Sequence, residues 1–530
     1  MLYNTDKPFC GTDGGKKERM MKKIQCVATP ELSPYPFWSW NEKMNPTELK
    51  RQIDEMKKAG YGGFFMHSRV GLVTKYLSDE WFSLIREASV YAYSVGMDAY
   101  IYDEDMWPSG YAGGEVVKRR PDFRHCVLAC VTEAQLEPED EIADVLSDGR
   151  KIVVRMSRKS YKRFNDSSYI DTLNPAAVRL FLETTHELYH KKVGDLFGKE
   201  IKGIFTDEPC YNCSLYGVPN VVYSPVLREK ILREEGFDIL EKAALLFENK
   251  GDYKEVRRKY YTKAGEQFRT SYFGQYSEWC KAHGLLFTGH VGNEDSMRGQ
   301  IAAQGSAMAC YKYFDYPGVD KLQRGLWQFA AIKQLDSAAS IFGKKVKLCE
   351  CFGGIGQECG IVGRKRITDW LVSLGINLIN PHLTPYSLRG ERKRDYPPAI
   401  GWQQPWWGEE AVFSAYTRRI CKMFFGAEEA GGRVLVAEPL LSVAARYTPL
   451  KEYDETDSVD NRFAELVKTL VKSGVPFDIC DDAVLSEYAK EENGKFVLGS
   501  KTYNTIILQN CENLPGRVVD IFNKCGLIDL

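Results

Sequence analysis

Apolar and polar positions follow two periods along this chain, and the periods alternate. PFWSWN (36–41) is a short apolar run of strand type. Asn45 then caps a helix with Pro46 at its first position; Leu49, Ile53 and Met56 share one face and Gly60 ends it. GGFFMHS (62–68) predicts a second strand. Ser78 caps the next helix, with Asp79 and Glu80 in its first turn and Gly96 at its close. A third strand, Ala99 to Tyr102, opens into YDEDMWPSG. Asn174-Pro175 starts a helix through about Val193 that leads to a fourth strand, KGIFTDEP (202–209). Long helices follow to about His283, then a fifth strand over Leu285 to His290, a sixth over Ala307 to Phe314, a seventh ending at Glu350 and an eighth over Asn377 to Asn380. A helix from about Glu409 to Phe425 completes the series.

Eight successive strand–helix units predict a (β/α)8 TIM barrel over residues 34–430. An open doubly wound sheet is the alternative, but no Gly-rich phosphate loop follows any strand. A polar stretch over about 119–171, with β-prone runs such as Lys151 to Met156, reads as an inserted small β unit. After Gly431-Gly432 the alternation restarts with Arg433 to Ala437, a helix from about Asn461 to Ser473, and Thr505 to Gln509. Residues 431–530 therefore predict a flavodoxin-like α/β domain of about three strands, unfinished at Leu530, as in a fragment or a domain completed by a partner. Residues 1–33 form a polar, Gly- and Lys-rich N-terminal segment expected to be poorly ordered at its start.

Composition narrows the classes. The 530 residues exceed what one core usually holds. Lys+Arg 71 against Asp+Glu 72 leave a net charge of -1, with no basic excess to attract nucleic acid or an anionic membrane. No apolar run approaches the roughly 20 residues of a membrane span, and the N-terminus lacks the apolar core of a signal peptide. The 15 scattered cysteines fit a reduced, cytoplasmic setting. Cys210 and Cys213 make a CxxC, but no second pair completes a zinc set, so packed thiols are the plainer expectation.

The candidate chemistry gathers just after the strands. Asp207 and Glu208 close the fourth and Glu350 the seventh, between Cys349 and Cys351. Two carboxyls on different strand ends are what glycosidic bond hydrolysis needs: one protonates the leaving oxygen, the other activates water or attacks the sugar. Asp207 then orients a neighbour or raises the pKa of Glu208 by like charge. Asp103, Glu104 and Asp105 stand beside Trp107, for sugar hydroxyls or an oxygen-ligated calcium ion, or as loop caps. Three of only 7 histidines, His67, His290 and His382, follow predicted strands and could hydrogen-bond a sugar. Glu294, before Asp295, is a reserve base. Trp38, Trp40, Trp107, Trp402, Trp406 and Trp407 offer faces for sugar C–H groups or ordinary packing.

PFWSWN, GGFFMHSRVGL, YDEDMWPSG-AGG, IDTLNPAAVRLFLE, GIFTDEP and GHVGNED, in this order, resemble the glycoside hydrolase family 106 α-L-rhamnosidases and their close relatives, over about Pro34 to Gln509. The resemblance implies a (β/α)8 catalytic domain, an inverting mechanism and a calcium-assisted site acting on plant cell-wall rhamnosides. It implies Glu208 as general acid and Glu350 as base. Family members usually carry further β-rich domains after the barrel; here the chain ends earlier. The alternatives are a retaining glycosidase of the β-galactosidase type and an inactive carbohydrate-binding barrel. The expected partner is a glycoside or oligosaccharide, with no organic cofactor and self-association left open.

Overall fold

Eight parallel strands, each followed by helical chain, close on one another. They are β1 (Phe37–Trp40), β2 (Gly63–Ser68), β3 (Asp98–Tyr102), β4 (Ile201–Asp207), β5 (Leu286–His290), β6 (Tyr316–Lys321), β7 (Leu348–Cys351) and β8 (Leu378–Pro381). Neighbours in the sheet are neighbours in sequence, and the circle shuts where Thr384 and Pro385, just past β8, pair in parallel with Trp38 and Ser39 of β1. This is a (β/α)8 barrel. The structure, a computed structural model, describes residues 32–157, 160–213, 216–425 and 434–527. The N-terminal segment up to residue 31 and the expected boundary at Gly431-Gly432 lie outside the described residues.

Alternation within the strands sorts the core. Phe37, Phe65, Tyr100, Tyr102, Phe205, Leu348 and Leu378 pack together inside the barrel. Trp38, Trp40, Phe64 and Met66, one residue out of phase, meet helix residues such as Leu49, Ile53, Trp81 and Ile85. Trp38 and Trp40 are therefore packing residues, edge-on to each other and to Phe64 and Trp81. The caps act as their residue types require: Asn45 accepts the Thr47 and Glu48 N–H groups, Ser78 that of Trp81, and Asn174 that of Ala176. One close approach sets up the site. Gly289 has φ +142°, and a Cβ there would lie 2.0 Å from the Thr206 carbonyl oxygen. Only glycine fits, and the resulting register places His290 beside Asp207.

Three elements differ from the sequence reading. The sixth strand is Tyr316–Lys321, whereas Ala307–Tyr311 is a short helix capped by Ser306. Pro317 and Gly318 sit inside the true strand and weaken its β signal. The insertion contains Cys126–Val131, Glu141–Val145 and Lys151–Met156, but its sheet gains a fourth strand, Asn220–Tyr223, from the chain beyond β4. After the barrel, Val434–Glu438 is flanked in parallel by Phe477–Asp481 and Thr505–Leu508, and a separate antiparallel sheet joins Ala489–Glu492, Lys495–Leu498 and Lys501–Tyr503. The parallel sheet leans on the barrel: the Ile479 N–H donates to Ser337 Oγ at 2.9 Å, and Ser306 bonds Asp481.

Among the described residues no helix is long and apolar enough to cross a membrane. Cys210 and Cys213 are buried, and among the described residues no cysteine joins a cluster of three potential metal ligands.

Candidate active site

A cavity of about 440 Å³ opens at the carboxyl ends of the strands. Asp207 and Glu208 reach it from β4, Asp320 from β6, Glu350 from β7 and His382 from just past β8. Trp107, Arg69, Asp395 and Tyr396 complete its polar and aromatic rim.

Glu208 sits at the sharp exit from β4 with φ +46°, a left-handed conformation that a side chain adopts at a cost. Its backbone N–H donates to the His290 carbonyl at 3.3 Å, and the Trp107 indole N–H donates to its carboxyl. Burial pushes the Glu208 carboxyl well above the usual range. The positive charge of His290 opposes that, and the negative charges of Asp207, Glu294 and Glu350 reinforce it. Burial and its acidic neighbours therefore favour the protonated form of Glu208.

Glu350 stands in the opposite state. Burial alone would raise its carboxyl, but the hydrogen bond and charge of His290, with Arg69 nearby, hold it below the ordinary value. His290 Nε2 lies 2.7 Å from Glu350 Oε2 and 3.5 Å from Asp207 Oδ1. Burial disfavours the imidazolium, yet these two carboxylates raise His290 well above its usual range, so it carries the charge between them. Asp207 also accepts the Tyr102 hydroxyl at 2.6 Å, and burial pushes its carboxyl up to about 6. The two glutamates on this cavity are thus pushed in opposite directions, Glu208 toward its protonated form and Glu350 toward its ionised form.

His67 and His290 do not line the cavity; both are fully buried, His290 behind Glu350 and Asp207. His67 stacks on Tyr102 at a ring separation of 3.5 Å, and burial, then the Arg69 charge, holds it neutral. His382 faces the cavity, 4.0 Å from Glu350 Oε1, and burial lowers it to about 4. Glu294 is buried and accepts the Asp320 backbone N–H at 3.0 Å, so it positions Asp320 and does not reach the cavity as a base. Asp295 binds Gln328. Of the other tryptophans, Trp402 lies under Arg51 and Trp407 reaches Glu55, while Trp406 faces a separate shallow depression.

The expectation for Asp103 to Asp105 is corrected. Glu104 is fully buried and accepts five backbone N–H groups, from Asp105, Gly110, Tyr111, Ala112 and Gly113. Asp103 accepts the hydroxyls of Ser109 and Tyr276. Asp105 accepts Ser68 and Asn165. These carboxylates tie the loop after β3; neither Asp103 nor Glu104 faces the cavity. Their oxygens are occupied by protein donors and do not fit a calcium ion. The three-ligand cluster at the cavity, Asp207, His290 and Glu350, contains an imidazole already engaged with Glu350, which does not fit an all-oxygen ion either.

Arg69, Asp320, Asp395 and Tyr396 escaped the sequence reading. Arg69 binds both oxygens of Asp395, at 2.9 and 2.6 Å, and this largely but not fully buried pair lines the cavity. Asp320 is half-buried, and its Oδ1 is buried and meets no protein donor. Burial and the charges of Glu350 and Glu208 raise it well above its ordinary range. The position of Arg69 just after β2 was the one readable signal.

No family model and no curated protein matches the chain. Among solved structures it is similar to a rhamnosidase from Novosphingobium sp. PP1Y, at 12% identity and TM-score 0.67, over 96% of this chain and 69% of that one. It is also similar to a GH42 β-galactosidase from G. stearothermophilus, at 9% identity and TM-score 0.55, over 89% and 67%. A polyextremophilic β-galactosidase from the Antarctic haloarchaeon Halorubrum lacusprofundi matches at 12% identity and TM-score 0.53, over 89% and 68%. These likenesses establish the barrel fold.

Proposed function

We propose that the protein is a glycoside hydrolase in which Glu208 is the general acid and Glu350 the general base, and that its substrate is a terminal α-L-rhamnoside or a related deoxy-sugar glycoside. The observation that carries the reading is the placing of two glutamates on one cavity at the carboxyl face of the barrel, with burial and acidic neighbours raising one carboxyl and His290 lowering the other. The solved neighbours, all named as glycosidases, support the class.

In the proposed reaction Glu208 delivers its proton to the glycosidic oxygen as that bond breaks, with the Trp107 N–H aiming its carboxyl. Glu350, ionised by His290, takes a proton from water as the water oxygen bonds the anomeric carbon. The two protons balance: one leaves with the aglycone and one arrives on Glu350. Inversion at the anomeric carbon follows from attack by water; a retaining β-galactosidase-type reaction would instead have Glu350 bond the sugar.

A screen of aryl glycosides with and without chelator tests the class and the sugar together. Hydrolysis of an α-L-rhamnoside, followed by NMR of the first anomer released, is the expected result. Turnover of β-galactosides alone with retained configuration would replace this reading, and turnover of no glycoside would return the inactive sugar-binding barrel.

A further inference from the structure

We propose that Glu187, His190 and His283 bind one transition-metal dication, with Zn²⁺ the best match, on the outer helical ring of the barrel. Glu187 and His190 lie three residues apart on the helix His186–Val193, and His283 ends the helix Gln275–His283. One potential ligand atom from each of the three lies within 4.8 Å of the others. His190 Nδ1 is 3.9 Å from Glu187 Oε2, and the two imidazole rings are 4.3 Å apart. Zinc bonds of about 2.0–2.2 Å would draw these atoms together by small side-chain rotations.

The surroundings already orient the ligands, and a single residue, Trp279, does most of it. Its backbone carbonyl lies 2.8 Å from His283 Nδ1, which fixes the tautomer with the proton there and turns the Nε2 lone pair outward. Its indole N–H donates to Glu187 Oε1 at 2.7 Å, leaving Oε2 for a metal. Its ring stacks on His283 at 4.2 Å. Gly194 leaves room for the His190 ring, since a Cβ there would lie 2.5 Å from His190 Cδ2. Burial lowers His283, which keeps it neutral and able to ligate. Both histidines stand in the last turns of their helices, where the carbonyl ends favour a cation. Glu187 and His190 are 36% and 46% exposed, so water can fill the remaining coordination position. Two imidazoles with one carboxylate select zinc, nickel or copper over calcium or magnesium. These helices run into the amino ends of β4 and β5, the face of the barrel opposite the cavity, so the site would clamp two helices and take no part in the proposed hydrolysis.

Calorimetric titration of chelator-stripped protein with Zn²⁺ tests this. Buried thiols and the Asp207–His290–Glu350 cluster could also take zinc, so the readout is the difference between variants. Wild type should bind one more equivalent than His190→Ala and than His283→Ala, and zinc should raise the Tm of wild type more than that of either variant. Trp279→Phe keeps the carbonyl and a ring but loses the N–H to Glu187; zinc affinity should fall about 10-fold, within the range known for supporting partners. His190 is half-exposed, so His190→Ala should fold with a native circular dichroism spectrum even if His283→Ala does not. Equal zinc stoichiometry and affinity in wild type and a natively folded His190→Ala would overturn the proposal, as would a preference for Ca²⁺ over Zn²⁺.

Discussion

Two groups of carboxylates stand at strand ends of this barrel, and they differ in what their oxygens meet. The loop after β3 carries Asp103, Glu104 and Asp105; the cavity carries Asp207, Glu208 and Glu350. Both groups are largely buried. Around Glu104 five backbone N–H groups converge and engage both carboxyl oxygens, although burial still lifts its carboxyl to about 8. Around Glu208 there is one indole N–H and a ring of other acids. Burial raises both carboxyls, so a raised pKa does not separate them: the oxygens of Glu104 are taken up by the loop, whereas Glu208 opens onto the cavity. Access to the cavity, together with the number of local donors, and not burial or a raised pKa, separates a loop anchor from a candidate acid.

The comparison breaks most sharply by isosteric substitution. Glu208→Gln should lose about 10²–10⁴-fold in kcat on a glycoside with a poor leaving group and far less on a nitrophenyl glycoside, while Glu350→Gln should lose about as much on both. Equal losses by Glu208→Gln on both substrates would remove it as the acid. Stability should move the other way. Glu208 keeps in the folded state a proton that the unfolded chain releases above its ordinary carboxyl pKa, so it costs stability as pH rises from there toward its folded value. Glu208→Gln removes that slope and should melt at or above the wild-type temperature at pH 7.

His290→Asn is the next largest effect. Glu350 would lose its hydrogen bond and its main countercharge, and burial would then lift its carboxyl. Because Glu350 must be ionised to accept a proton, the acid limb of kcat/KM should shift to higher pH. An unmoved limb would show that His290 does not set the charge of Glu350. Glu104→Gln should change stability and leave both limbs in place: an amide NH₂ would face N–H donors with nothing to accept, at about 1–3 kcal/mol by denaturant unfolding. The smallest effect is expected for Trp107→Phe, which deletes one hydrogen bond to Glu208 and should lower kcat about 10-fold, mainly on poor leaving groups. A pH limb moved by Glu104→Gln would erase the distinction between the two groups.

What the sequence disclosed follows the same division. The barrel, Asp207, Glu208 and Glu350 were legible because short apolar runs end abruptly in acids, and strand ends of a barrel converge. Asp320 was hidden because its strand contains Pro317 and Gly318, which mask the β pattern and shifted the expected strand to Ala307–Phe314. Asp395 and Tyr396 follow β8 in a loop without periodicity. Nothing local shows that Asp395 will meet Arg69, 326 residues earlier. The donors around Glu104 are backbone groups, which every sequence has and no composition reports. The insertion was readable as β-rich from its own residues, but its last strand belongs to another loop.

That borrowed strand has a consequence for how the chain is made. Cys126–Val131 leaves the ribosome well before Asn220–Tyr223, and all of β4 is synthesised in between. Through that interval the nascent protein presents an unpaired strand edge next to a half-built barrel, an opening for mispairing with other nascent chains. The segment carrying Glu208 is tethered at both ends only once Tyr223 has emerged and paired with Cys126. In this quarter of the barrel, the corner that holds the proton is the last to be sewn shut.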